Sequence, residues 1–220
     1  MNKKRVIIFT AIAVTALAVS ALVLVFRAVY GLPFRQYDED GRITAKGWIK
    51  NGLREGVFTV YGQGGWIERV MTYQNDQLKG PYRVYDEQGV LKEEWFYEED
   101  RCQGEYMLYH ENGALKEKGT CVNGKRDGLY TVYHEDGSTD RTGHYQSDVL
   151  EGDIFVYYAS GKVKEQWNAR QGMIDGLFVM FYENGQVQEQ GSYIANKREG
   201  LYQTYYENGQ LLQEGVYAND

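Results

Sequence analysis

Residues Phe181 to Gln186 read FYENGQ, and Tyr205 to Gln210 read YYENGQ. The two stretches lie 24 residues apart, and Glu-Asn-Gly is what a tight chain reversal needs: Gly enters the left-handed region without steric cost, and Asn tolerates it. Stepping back by 24 from Tyr205 gives Phe181, Tyr157, Tyr133, Tyr109, Tyr85, Tyr61 and Tyr37, all aromatic. The same step from Gly209 gives Gly185, Gly161, Gly137, Gly113, Gly89, Gly65 and Gly41. A third series is Gly200, Gly176, Gly152, Gly128, Gly104, Gly80 and Gly56, with Leu32 in the first unit. A fourth reads Tyr73, Tyr97, Cys121, Tyr145, Ala169, Tyr193 and Tyr217, broken only at Cys121 and Ala169. The chain after residue 31 therefore divides into eight units, starting at 32, 56, 80, 104, 128, 152, 176 and 200, without insertion or deletion.

Each unit reads as a β-hairpin. In the last, Leu201 to Tyr206 is an aromatic-rich strand, Glu207-Asn208-Gly209 is the turn, and Gln210 to Tyr217 is the return strand. A segment such as Asn123 to Gly128 is expected to link one hairpin to the next, since antiparallel neighbours need only short connections. The fold expected is all-β: an elongated, single-layer antiparallel sheet of about sixteen strands, stabilised by contacts between neighbouring units. The aromatic row from Tyr61 to Tyr205 and the glycine row from Gly65 to Gly209 are its structural ladder and turns.

Composition agrees with a turn-rich sheet: 26 Gly and 20 Tyr against 2 Pro. Residues 1–30 carry Lys3, Lys4, Arg5 and Arg27 with no acid, and the rest is acidic, an unfavourable surface for nucleic acid phosphates. Lys3-Lys4-Arg5 precedes an uncharged run, residues 6–26, which as a helix of about 32 Å would cross a hydrocarbon core of about 30 Å. A cleaved signal peptide has a shorter apolar region and a small-residue cleavage site; here Arg27, Val29 and Tyr30 follow. The reading is an uncleaved signal anchor: residues 1–5 in the cytoplasm, 6–26 in the membrane, 27–31 as a linker, and the repeats of 32–220 on the outer, periplasmic or extracellular side.

Gly176, Phe178, Phe181, Glu183, Asn184, Gly185, Val187 and Tyr193 follow a pattern of Gly, spaced aromatics, Glu-Asn-Gly, an aliphatic residue and Tyr, and the next unit repeats it. The pattern resembles the bacterial variant of the MORN repeat, over essentially all of the chain after the apolar run. The resemblance implies one hairpin per repeat in a long single-layer sheet. Members of this family are commonly described as YwqK-type antitoxins, which implies an immunity role and a toxin as partner. With the repeats outside the cytoplasm, immunity at the envelope is the form that fits.

No catalytic constellation is legible. His110 and His134 are one repeat apart, about 9.6 Å between equivalent strands, too far to share a zinc, and they replace the Tyr of Tyr158, Tyr182 and Tyr206. Glu39, Glu87, Glu111, Glu135, Glu183 and Glu207 have the same wide spacing and read as turn residues. Neither a cofactor nor a metal is expected, and no enzyme. Cys102 and Cys121 fall close together across one hairpin, leaving open a disulfide or two unrelated substitutions. Positions that vary carry more functional information than the ladder. Leu129, Phe155, Leu177, Val179 and Leu201 lie on the strand face opposite Phe58, Tyr82, Tyr106, Tyr130, Phe178 and Tyr202. They are the candidate binding surface for a protein partner, or a shield over the Tyr rows. The alternative function is an envelope module that stacks glycans or lipid head groups on those rows.

Overall fold

The computed structural model describes residues 23–24 and 31–218; the apolar run 6–26, save for 23–24, lies outside the described residues, and among these no helix is long and apolar enough to cross a membrane. The strand segments are β1 Leu32–Tyr37, β2 Ile43–Lys50, β3 Leu53–Arg54, β4 Gly56–Tyr61, β5 Ile67–Gln74, β6 Gln77–Tyr85, β7 Leu91–Glu98, β8 Arg101–Tyr109, β9 Leu115–Val122, β10 Lys125–Arg126, β11 Gly128–Tyr133, β12 Thr139–Gln146, β13 Val149–Leu150, β14 Gly152–Tyr157, β15 Val163–Arg170, β16 Met173–Phe181, β17 Val187–Ile194, β18 Lys197–Tyr205 and β19 Leu211–Tyr217. Three strands are each broken in two, at Glu55, Asp127 and Glu151, so these segments make sixteen strands. Every pairing is antiparallel and joins strands adjacent in sequence, from β1–β2 to β18–β19, in one sheet. The chain is a ribbon of hairpins, as the 24-residue period predicts.

The connection between hairpins differs from the expected loop. Asn123 and Gly124 alone form the turn, both with positive φ (52° and 88°), the signature of a two-residue type I′ reversal. The same pair of positive φ angles recurs at Asn51-Gly52, Asn75-Asp76, Glu99-Asp100, Ser147-Asp148, Gln171-Gly172 and Ala195-Asn196. The following strand starts at once and then bulges at the third-series glycine. Opposite β5, Met71 pairs with Tyr82 and Tyr73 with Leu78, so Lys79, Gly80 and Pro81 face the single residue Thr72. Gly80 has φ +110°, which a side chain rarely adopts. These glycines open a bulge inside a strand rather than the strand itself.

Side-chain bonds lace both long edges of the ribbon. On the turn edge, the amide of each turn's second residue donates to a carbonyl 22 residues earlier: Asp76 to Arg54 O at 2.9 Å, Asp148 to Arg126 O at 2.8 Å, Asn196 to Ile174 O at 2.9 Å. The side chains answer in reverse. Arg126 N donates to Asp148 Oδ1 at 2.9 Å and Ile174 N to Asn196 Oδ1 at 2.7 Å. At the other edge Tyr182 Oη donates to Tyr205 O at 2.8 Å, and His110 Nε2 lies 2.8 Å from Tyr133 O. This accounts for His110 as a Tyr substitute: both side chains serve the carbonyl of the next hairpin. His134 instead faces Asp140, at 3.6 Å.

The acid dependence of stability follows from this lacing. Asp76 is held below the ordinary carboxylate range by its bond from the Arg54 side chain, and Asp148 chiefly by the Arg126 amide. A carboxylate depressed in the folded state contributes stability that is present above its unfolded pKa, about 4, and is lost as pH falls through the folded value. Urea midpoints are expected to be flat above about pH 5 and to fall steadily below about pH 4. In Asp76→Asn/Asp148→Asn the fall should be shallower; an unchanged slope would rule these two groups out as its source.

Candidate functional site: the two faces of the sheet

Alternation along each strand gives the sheet two unlike faces. The first carries Phe58, Tyr82, Tyr106, Tyr130, Ile154, Phe178 and Tyr202, and all three buried clusters of the described residues lie on it. Tyr106 and Ile154 are fully buried although no second layer covers them. Their rings and chains lie across the sheet, over the glycines of the row opposite, Gly47, Gly119, Gly143 and Gly191; the same row continues with the uncovered Gly215 and with Met71, Trp95 and Trp167 in the remaining units. A Cβ on Gly47 would come within 2.5 Å of the Phe58 ring, and one on Gly119 within 2.8 Å of Tyr106. Neighbouring rings close the gaps, with centroids 4.8 Å apart for Trp95–Tyr106 and 4.6 Å for Tyr130–Tyr145. Tyr106 Oη donates to Glu117 at 2.7 Å; burial first, then this bond, pushes the phenol up, so it stays a protonated donor.

Three hairpins are also clasped on this face, where their strands meet the turn edge, by an Arg over a Tyr ring. Arg54 lies over the Tyr73 ring at 3.9 Å, Arg126 over Tyr145 at 4.1 Å and Arg198 over Tyr217 at 5.2 Å. In the fourth unit the same two places hold Cys102 and Cys121, joined as a disulfide with Cα atoms 5.8 Å apart. Both cysteines are buried. The clasp explains why this pair of cysteines, 19 residues apart, can replace a repeat Tyr and its partner.

The second face holds the five candidate residues Leu129, Phe155, Leu177, Val179 and Leu201 together with the ladder row Tyr61, Tyr85, Tyr109, Tyr133, Tyr157, Phe181 and Tyr205, which is therefore not the buried core. The register does not bring the five into one contiguous patch. Gln166 pairs with both Phe155 and Val179 and so separates them. Asp153 and Asn168 stand between Leu129 and Leu177, and Ser192 follows Leu177. Phe155 and Val179 are half-buried, whereas Leu129, Leu177 and Leu201 protrude at 75%, 60% and 52% exposure. Val216, opposite Leu201, joins them at 80%. Beside Leu129 a hollow of about 300 Å³ is lined by Glu105, Met107, Lys118, Thr120 and Thr131. The Tyr rings of this face are not open platforms: Lys46 sits over Tyr61 at 5.3 Å and Lys118 over Tyr133 at 5.7 Å, and Tyr205 bonds Gln190 and Gln203. Among the described residues no three His, Cys, Asp or Glu side chains are grouped as a metal site requires.

No curated protein matches the chain. Among solved structures it is similar to the GtfA/B complex bound to UDP and GlcNAc, at 16% identity and a TM-score of 0.24 over 52% of this chain and 22% of that one. It is similar to TarM at 11% identity and a TM-score of 0.28, over 60% and 20% of the two chains, and to the TcdB2-TccC3-TEV structure at 11% and 0.19, over 83% and 11%. The chain thus spans less than a quarter of each of these chains, and the likeness is too slight to carry function. The family described as MORN repeat variant matches six segments, residues 78–99, 103–123, 126–147, 150–170, 174–195 and 198–219. These cover more than half of the sequence and keep phase with the hairpins, and the chain belongs to the MORN repeat variant family.

Proposed function

We propose that the chain is a non-enzymatic scaffold, anchored in the cytoplasmic membrane by residues 6–26, that binds a partner protein at the cell envelope through the second face of its C-terminal units. The observation that carries this is the inequality of the faces. One face spends its aromatic residues on its own packing. The other leaves Leu129, Leu177, Leu201 and Val216 standing out from one row, with polar His144, Ser192 and Asn168 between them. Large apolar side chains spaced among polar ones suit a protein surface, in which apolar anchors fill pockets and polar neighbours form a rim. An immunity protein that blocks a toxin outside the cytoplasm is the specific form that the family's antitoxin members suggest. Stacking of glycans on the Tyr rows is the weaker reading, because lysine chains already cover Tyr61 and Tyr133.

The test is a paired one. A photo-crosslinker at position 177 should join the protein to a single envelope protein, and a crosslinker at exposed Glu207, in a hairpin turn, should not. The purified partner should then bind the wild type and lose at least tenfold in affinity with Leu129→Glu/Leu177→Glu, a loss of about 1.4 kcal/mol or more. Unchanged affinity in a variant that keeps its melting temperature would sink the choice of face. The immunity form predicts in addition that the full chain protects cells from that partner delivered outside, and that the double variant does not.

A further inference from the structure

We infer that copies of the chain join head to tail: the last strand of one array accepts the first strand of the next, so that Phe34 of a second copy lies over Gly215 and its Arg35 meets Glu214. Among the described residues β19 pairs with β18 alone and β1 with β2 alone, which leaves unpaired backbone groups along the outer edge of each. The two edges are complementary, because β1 is the kind of strand that follows β19 in the repeat. Inside the array Gly191 pairs with Tyr202, Gln190 with Gln203 and Glu189 with Thr204. The 24-residue period carries this register across the junction, setting Gly215 opposite Phe34, Glu214 opposite Arg35 and Gln213 opposite Gln36 of the second copy.

The C-terminal edge carries three groups that such a strand completes. Gly47, Gly143 and Gly191 are each covered by a side chain of the following hairpin, Phe58, Ile154 and Tyr202; at Gly215 no described hairpin follows, and a Cβ there would meet nothing nearer than Tyr217 at 3.8 Å. Tyr158 and Tyr182 donate from Oη to the carbonyls of Phe181 and Tyr205, one hairpin on. Tyr206 holds the same place in the last hairpin, and the period offers it the Tyr37 carbonyl of the second copy. Tyr206, Tyr37 and Leu212 are each 51% exposed, and the junction would cover all three. Glu214 and Arg35 are exposed, and none of the ion pairs among the described residues uses either. Pro33 is no obstacle: it holds the place of Pro81, which β6 admits in its bulge opposite Thr72. Two β19 strands set against each other would offer Glu214 no base, since β19 reads LLQEGVY. The contact uses a different edge on each copy, so it builds chains or rings of arrays rather than a two-fold pair.

The full chain in detergent micelles is followed by sedimentation velocity over a dilution series. The wild type should show species that grow with concentration. Arg35→Glu alone and Glu214→Arg alone should each weaken association at least tenfold, because each sets like charges opposite one another. An equimolar mixture of these two variants should recover it, since every junction between unlike copies then joins opposite charges. Gly215→Leu should stop the growth and keep the wild-type melting temperature, because the added side chain takes the place of the incoming ring. A wild type that stays monomeric throughout the series would overturn the inference. A dimer that Arg35→Glu leaves intact would assign the contact to two β19 edges and overturn the head-to-tail order. A mixture no stronger than either variant alone would refute the Glu214–Arg35 pair, and growth that persists in Gly215→Leu would refute the ring over the glycine.

Discussion

Replacing both cysteines by alanine is expected to lower the unfolding free energy by about 3 kcal/mol. The disulfide closes a loop between residues 19 apart, for which the lost chain entropy of the unfolded state is about 3 kcal/mol. Cys121 is 1% exposed and Cys102 7%, so a reductant should reach the bond only when the fourth hairpin opens. Thiols counted in the native protein should therefore be absent, and should appear together with loss of structure. The sharper test uses the repeat itself. Arg54–Tyr73 and Arg126–Tyr145 clasp their hairpins where Cys102 and Cys121 clasp the fourth, so Cys102→Arg/Cys121→Tyr should recover about 1 kcal/mol relative to the double alanine variant. No recovery in urea unfolding would mean that the three clasps are not equivalent.

Gly191→Ala is expected to cost about 2 kcal/mol, while Gly215→Ala should cost nothing measurable. Both glycines stand directly opposite Tyr202, Gly191 from β17 and Gly215 from β19. The Tyr202 ring leans over Gly191, where a new methyl group would overlap its Cδ2 and Cε2; at Gly215 the nearest atom is Tyr217 Cε2, 3.8 Å away. Tyr202 is buried and its hydroxyl bonds Glu189, so the ring cannot swing aside without exposing itself. If alanine is tolerated equally at 191 and 215, ring-over-glycine packing is not what closes this face. Gly119→Ala, beneath the fully buried Tyr106, should behave like Gly191→Ala.

Much of this fold was legible in the period alone. Tyr205 and Gly209 stepped back by 24 locate every hairpin because nothing interrupts the register, and a single-layer ribbon has no distant contacts for a sequence reader to miss. The same simplicity hid the bulge. Gly80 and its equivalents read as strand starts because glycine ordinarily marks a boundary; that the strand begins three residues earlier, at Gln77, depends on the two-residue turn at Asn75-Asp76. The glycines at 119, 143 and 191 gave no turn signal and passed unnoticed, since their role is to be absent beneath a ring. That Leu129, Phe155, Leu177, Val179 and Leu201 share the face opposite the Phe58 row was legible, because alternation requires it, but Phe155 and Val179 could not be told from Leu129 and Leu177. Their exposures depend on what the neighbouring strands bring alongside.

The sequence by itself determined the repeat, the hairpin turns, the alternation of faces and the apolar run that precedes them, because each is local: a turn needs its glycine, and a strand alternates whatever it faces. Only the tertiary structure decided which face is closed. Both faces carry aromatic rows of equal regularity, and the outcome turned on whether the residue across the strand pair was a glycine that lets a ring lie flat. It also decided that Cys102 and Cys121 occupy a clasp. These follow from cross-strand register, which a bulge of two extra residues in each unit resets.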